Sequence, residues 1–154
     1  MLLAAGGGCG RKAALRHEFD SIEAVARAVL EGLAARDEAR LRELPLSREE
    51  FEGAVWPELP SNNGHIPLAY VWGDLHQKSL ASLGATLAAH GGRRYRLVRV
   101  AFAGEATAYR STVVHRRARV LVRDEEGRER WLALFGSILQ RDRRYKLFSF
   151  AVQR

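Results

Sequence analysis

The chain is poor in the residues that most readily announce a chemistry. It has one cysteine, Cys9, in 154 residues, so neither an intramolecular disulfide nor a cysteine-ligated zinc site can form. No apolar run approaches the ~20 residues that span a bilayer. No Gly-Xaa-Ser-Xaa-Gly elbow occurs, and no set of His, Asp and Glu has the spacing of a metal site. Gly6-Gly7-Gly8 precedes no strand–helix unit, which excludes a phosphate-binding loop there. The sequence therefore calls for no metal and no cofactor. Lysine is scarce as well: Lys12, Lys78 and Lys146 are the only three among 25 basic residues, and the rest are arginines.

What is present is ordinary for a globular domain: 47% hydrophobic and 28% charged residues, in a length that suits one domain with its own core. The net charge of +7 is spread through strands and turns, with no Lys/Arg block and no recognition-helix pattern. It reads as a solvated basic surface, and nucleic acid is not the expected partner.

The last third organises the rest. Residues Arg94–Ala103, Thr107–Arg123, Arg128–Gln140 and Arg144–Gln153 are rich in Val, Leu, Phe, Tyr and Trp. Short polar turns, Asp124–Gly127 and Arg141–Arg143, join them as antiparallel strands are joined. Val114, Ala118, Val120 and Val122 alternate with His115, Arg117, Arg119 and Arg123, which gives the second strand one apolar face. The third is apolar on both, with Trp131, Ala133, Phe135 and Leu139 opposing Leu132, Leu134 and Ile138. Such a strand is covered on both sides or meets a partner. We therefore expect a homodimer through the outer sheet face.

Helices precede the strands. Asp20 with Glu23 makes a capping pair for an amphipathic helix with Ile22, Val25, Ala26, Val29, Leu30 and Leu33 on one face. Asp37 caps a short turn that Pro45 stops. Ser47 with Glu50 starts another that holds Phe51, Val55 and Trp56. After the Pro60–His65 loop, Pro67 opens the longest helix, Leu68–His90, which Gly91-Gly92 ends. That helix is expected to lie across the sheet in contact with Trp131, Phe135 and Leu139 or their alternates. The fold class is thus α+β: N-terminal helices packed on a strongly curved four-stranded antiparallel sheet. Residues 19–154 are expected to form the single domain, and residues 1–18 a flexible N-terminus or the remnant of a lipoprotein-type signal.

This order, with the Ala35-Arg36-Asp37 end of the first helix and the closing Tyr145-Lys146-Leu147-Phe148-Ser149-Phe150 strand, resembles the nuclear transport factor 2-like superfamily. These are cystatin-like α+β cones that include ketosteroid isomerase and scytalone dehydratase. The resemblance covers Asp20 to Gln153. It implies a pocket between helices and sheet but no particular activity. The isomerase branch needs a carboxylate base with a Tyr and protonated-Asp pair, and the dehydratase branch a His–Asp couple. Asp74, His76, Tyr70, Tyr109 and His115 match neither motif, so no catalytic role is transferred.

Two segments, Val55–Pro60 and Val71–His76, each set a Trp beside a turn former and an acid. In the functional reading Trp56, Trp72 and Tyr70 line a pocket mouth, with Glu58 or Asp74 as the orienting polar group. In the structural reading the tryptophans plug the core and the acids cap helices or pair with Arg. Asp74 and His76 are the weak catalytic candidates. On a helix they diverge by roughly 200°, whereas in an extended segment they would share a face. Met1–Lys12 ends in small residues before Cys9, as a lipoprotein signal does. A lipidated Cys9 would place the protein in the cell envelope on a membrane anchor, and otherwise a cytoplasmic address stands. The favoured function is a non-catalytic module for a small apolar ligand or a protein. The alternative is an isomerase- or dehydratase-like enzyme on a small apolar substrate.

Overall fold

The computed structural model describes residues 13–152. Its elements are α1 (Ile22–Ala34), α2 (Glu38–Glu43), α3 (Arg48–Glu50), α4 (Leu68–His90) and seven strands. The strands are β1 (Arg96–Phe102), β2 (Thr107–Ala108), β3 (Val113–Arg116), β4 (Ala118–Arg123), β5 (Glu129–Leu132), β6 (Ser137–Arg141) and β7 (Arg144–Ser149). The architecture is α+β, with helices and two antiparallel sheets ordered β1-β4-β5 and β2-β3-β6-β7.

The expected meander is there in chain order, but the count of four strands in one sheet is corrected. The start of the second strand, Thr107–Ala108, folds back as β2 on β3, and the rest is cut into β3 and β4 at Arg117, a non-glycine residue with φ of 57°. The third is cut into β5 and β6 across Ala133–Gly136. Each therefore serves one sheet with its first half and the other with its second. The Ala118 N–H donates to the Gly136 carbonyl at 2.9 Å, and the Gly136 N–H to the Ser149 carbonyl at 3.0 Å. A Cβ on Gly136 would sit 1.8 Å from the Ala151 carbonyl oxygen, so only glycine lets the three backbones approach this closely.

Helix ends follow local chemistry. The N-cap of α1 is Ser21, whose hydroxyl accepts from the Ala24 N–H at 3.0 Å. The expected Asp20 cap is corrected: its carboxylate bonds the Arg144 guanidinium. At the other end Arg36 takes φ of 50°, and the Asp37 and Arg36 N–H groups return to the Gly32 and Leu33 carbonyls. That is a Schellman stop built on arginine instead of glycine. Asp37 caps α2, and Ser47 with Glu50 forms a full capping box at α3. The chain then continues through a π turn, Phe51–Val55, and a 3-10 turn, Trp56–Glu58.

Val25, Val29 and Leu33 of α1 are fully buried against Val120, Val122, Leu134 and Ile138, each contributing about 1.5–3 kcal/mol before ordering costs. A second cluster gathers Leu46, Phe51, Ala54, Val55, Val114 and Leu139. The third strand is thus covered on both faces from within the chain, except at Trp131. That residue was expected to touch α4, yet it is 45% exposed and lies on the sheet with the Arg99 guanidinium 5.0 Å from its ring centroid. Arg99, Leu121 and Trp131 are register neighbours, and Leu121 is buried.

The helix α4 rests on the sheet along a narrow line: of its residues only Ser79, Leu83 and Thr86 are buried. Ser79 and Ser82 accept from the N–H groups of Phe150 and Val152 just past β7, which fastens the helix to the last backbone of the sheet. No helix among the described residues is long and apolar enough to cross a membrane.

Candidate functional site

A narrow seat leaves room on both flanks of α4. One flank opens into a cleft of about 560 Å³ between α4, β7, α3 and a strap at residues 16–17. The other opens into a larger one of about 960 Å³ toward β3 and β6. Leu75 and Phe148 line both.

The smaller cleft has the more defined walls. Its floor is Leu83 and Phe150, which are buried, with Leu75, Leu80 and Phe148 half-buried around them. Trp72 forms an aromatic wall, stacked on His76 with ring centroids 5.3 Å apart and 5.5 Å from the Phe51 ring. The lining also contains the most buried ion pair among the described residues: the Lys146 ammonium 3.4 Å from the Glu50 carboxylate, side chains 2% and 5% exposed.

That pair holds the strap. Glu50 accepts from the Ser47 N–H at 2.8 Å and from the Arg16 N–H, and Lys146 donates to the Arg16 carbonyl. Both backbone groups of Arg16 are therefore satisfied by one buried acid and one buried base. Burial pushes the Glu50 carboxyl upward, but the N–H donors of Arg16 and Ser47 and the Lys146 charge outweigh it and leave it below the usual range. For Lys146, desolvation dominates over the attraction of Glu50, and its pKa is lowered. Around the strap, the Phe19 and Tyr145 backbones pair and Arg144 reaches Glu18 and Asp20. Arg16 and Glu18, which the sequence reading assigns to the N-terminal segment before the domain, make these contacts with it. Cys9 and its expected lipidation lie outside the described residues.

The other sequence candidates separate. Trp56 packs 6.2 Å from Phe51 in the second core cluster and takes the plugging role. Glu58 is a clasp, accepting from the Ser111 N–H and hydroxyl and from the Thr112 hydroxyl. Burial pushes its carboxyl up, yet these donors and Arg110 hold it below its ordinary value. Tyr70 is 73% exposed and lines neither cleft. Asp74 and His76 sit in the helical segment, so the extended alternative is corrected. Asp74 faces the larger cleft and pairs with Lys78 at 2.7 Å, while His76 faces the smaller one. They do not form a couple. His115 bonds Gln140 at 2.8 Å, and the Tyr109 hydroxyl accepts from the Arg116 guanidinium at 3.1 Å.

Of the sequence candidates, then, only Trp72 and His76 meet in the smaller cleft. Sequence reasoning missed Glu50, Lys146, Phe148 and Arg16. Glu50 had been explained by its capping box, and it does both jobs. The available signal was Lys146 itself, a lone cation inside the apolar Tyr145–Phe150 strand, since an inward lysine demands a buried acid. Among the described residues no group of three or more His, Cys, Asp or Glu is placed to hold a metal ion. No family model, curated protein or solved structure matches the chain.

Proposed function

We propose that the chain is a nuclear transport factor 2-like domain that binds a small, largely apolar ligand in the cleft beside α4 without transforming it. The observation that carries this reading is the cleft of about 560 Å³ with an aliphatic and aromatic floor, a size within the ~300–1,000 Å³ of small-molecule sites. The groups that could act as acid or base near it are engaged: Glu50 and Lys146 grip the strap, Asp74 pairs with Lys78, and His76 stacks on Trp72. An isomerase- or dehydratase-like reaction needs a carboxylate aimed at substrate, and the Glu50 oxygens are turned to Ser47, Arg16 and Lys146. The family likeness is supported by the element order and by two middle strands that each pass between sheets. A homodimer belongs to the same proposal, supported by the exposed Trp131 and Val98 on the β1-β4-β5 sheet.

The test is binding of Nile red, a neutral solvatochromic dye, to three proteins. Leu80→Trp fills the smaller cleft and Ala81→Trp intrudes on the larger. We expect the native chain and Ala81→Trp to bind and Leu80→Trp to lose binding. Equal binding by all three, or by none, overturns the reading.

A further inference from the structure

We infer that the occupant of this cleft is a single-chain amphiphile with an anionic head, a carboxylate or a phosphate, its tail on the Leu83–Phe150 floor and its head at the Arg16–Arg48 rim. The inference rests on the ligand-binding reading above and adds the class of ligand.

The lining changes character with depth. Inside are buried Leu83 and Phe150 and half-buried Leu80 and Phe148, beside two buried serines and the mutually neutralised Glu50–Lys146 pair, whose polar atoms are all hydrogen-bonded. At the mouth are Arg16, Arg42 and Arg48, all exposed. The charges at the mouth do not balance. Lys146 is spent on Glu50 and Arg42 on Glu38, and the remaining acid, Glu43, lies 3.9 Å from His17, so against Arg16 and Arg48 the rim keeps one negative charge and stays net positive. That leaves the guanidiniums of Arg16 and Arg48 without an ion-pair partner among the described residues. The strap bonds of Arg16 are made by its backbone, so its side chain is left for a ligand. Guanidinium forks match carboxylate and phosphate oxygens in geometry. An apolar interior under an uncompensated cationic rim is complementary to a molecule with the same two ends.

Magnitudes assign the roles. Each methylene taken out of water is worth about fourfold in affinity, whereas an exposed arginine contributes about two- to fivefold and is weakened by salt. The tail supplies the affinity and the head fixes the direction of entry.

The experiment is displacement of Nile red, below micellar concentrations and at low salt, by octanoate, decanoate, dodecanoate, dodecyl phosphate, dodecanol and inorganic phosphate. We expect affinity to rise about fourfold per methylene along the carboxylates until the tail outgrows the cleft. Dodecanoate and dodecyl phosphate should bind about tenfold tighter than dodecanol, and inorganic phosphate should not compete. Whichever head is preferred separates a fatty acid from a phosphorylated lipid. In the double variant Arg16→Ala with Arg48→Ala, dodecanoate should fall to the level of dodecanol. Arg99→Ala, on the far sheet, should change nothing. If dodecanol matches dodecanoate while the dye still binds, the anionic head is refuted and the apolar cleft survives. If the dye does not bind the native chain, both readings fall. If inorganic phosphate competes as well as dodecyl phosphate, the tail is refuted.

Discussion

At Lys146 and Glu50 two opposite charges are held 3.4 Å apart out of solvent, and neither can be removed without stranding the other. Lys146→Met should cost about 3–5 kcal/mol, because it leaves a buried carboxylate unpaired. An apolar double replacement, Lys146→Met with Glu50→Leu, is often harmless at buried pairs. Here it also orphans the Arg16 N–H and carbonyl, at about 1–3 kcal/mol each, so it should not restore native stability. Urea denaturation of the three proteins checks this, and a double variant as stable as the native chain would refute the strap-holding role. Gly136 is a second point of no freedom. A methyl placed 1.8 Å from the Ala151 oxygen forces backbone apart in two strands, so Gly136→Ala should lose more than ~4 kcal/mol. A native-like melting curve for that variant would contradict the close approach.

Among elements, α4 is the one whose role is double, being both the cover of the sheet and a wall of the cleft. Trp72 tests the division. Its half-buried ring touches Phe51 and His76, so Trp72→Ala should cost about 2 kcal/mol, below the 3–5 of a fully buried aromatic. It should also weaken Nile red in the folded fraction. Stability lost with dye affinity intact would make Trp72 a plug alone. The bounds of α4 were legible because Pro67, an apolar stripe and Gly91-Gly92 all act within a few residues of the chain they punctuate. So was the Ser47–Glu50 box. The cap of α1 was not: Asp20 and Ser21 are equally good formers, and the choice is made by Arg144, which claims Asp20 from the other end of the chain. The cuts at Arg117 and Gly136 were marked only by Arg116 on the apolar parity of Val114 and Ala118 and by Gly136-Ser137 inside the third strand, breaks too short to outweigh the apolar residues on either side. The cleft shares that fate. Trp72 and His76 could be named from neighbours in sequence, but Glu50 and Lys146 became partners only through packing between α3 and β7.

For the molecule as a whole, acid should reveal the strap. Glu50 is held below its ordinary value in the fold, so the unfolded chain takes up that proton first as pH falls. Its contribution is complete above the ordinary glutamate range and is lost as pH drops through the lowered folded value. Glu50→Gln should therefore flatten the acid limb of a stability–pH curve relative to the native chain, and an unchanged limb would refute the assignment. Self-association is the other global property. If the Trp131–Val98 patch carries the homodimer, light scattering should report a dimer at tens of micromolar and a monomer for Trp131→Glu. A native monomer at that concentration would end the proposal.

The fastening of residues 16–20 onto residues 144–147 also orders events in time. A ribosome delivers the strap well before its docking strand, β7. The strap must wait, unpaired, while α1 to β6 emerge, and contacts closed over such a sequence separation form slowly. The cleft wall that contains Arg16 consequently closes only after β7 has emerged, so a newly made chain cannot take up a ligand there before that strand is in place.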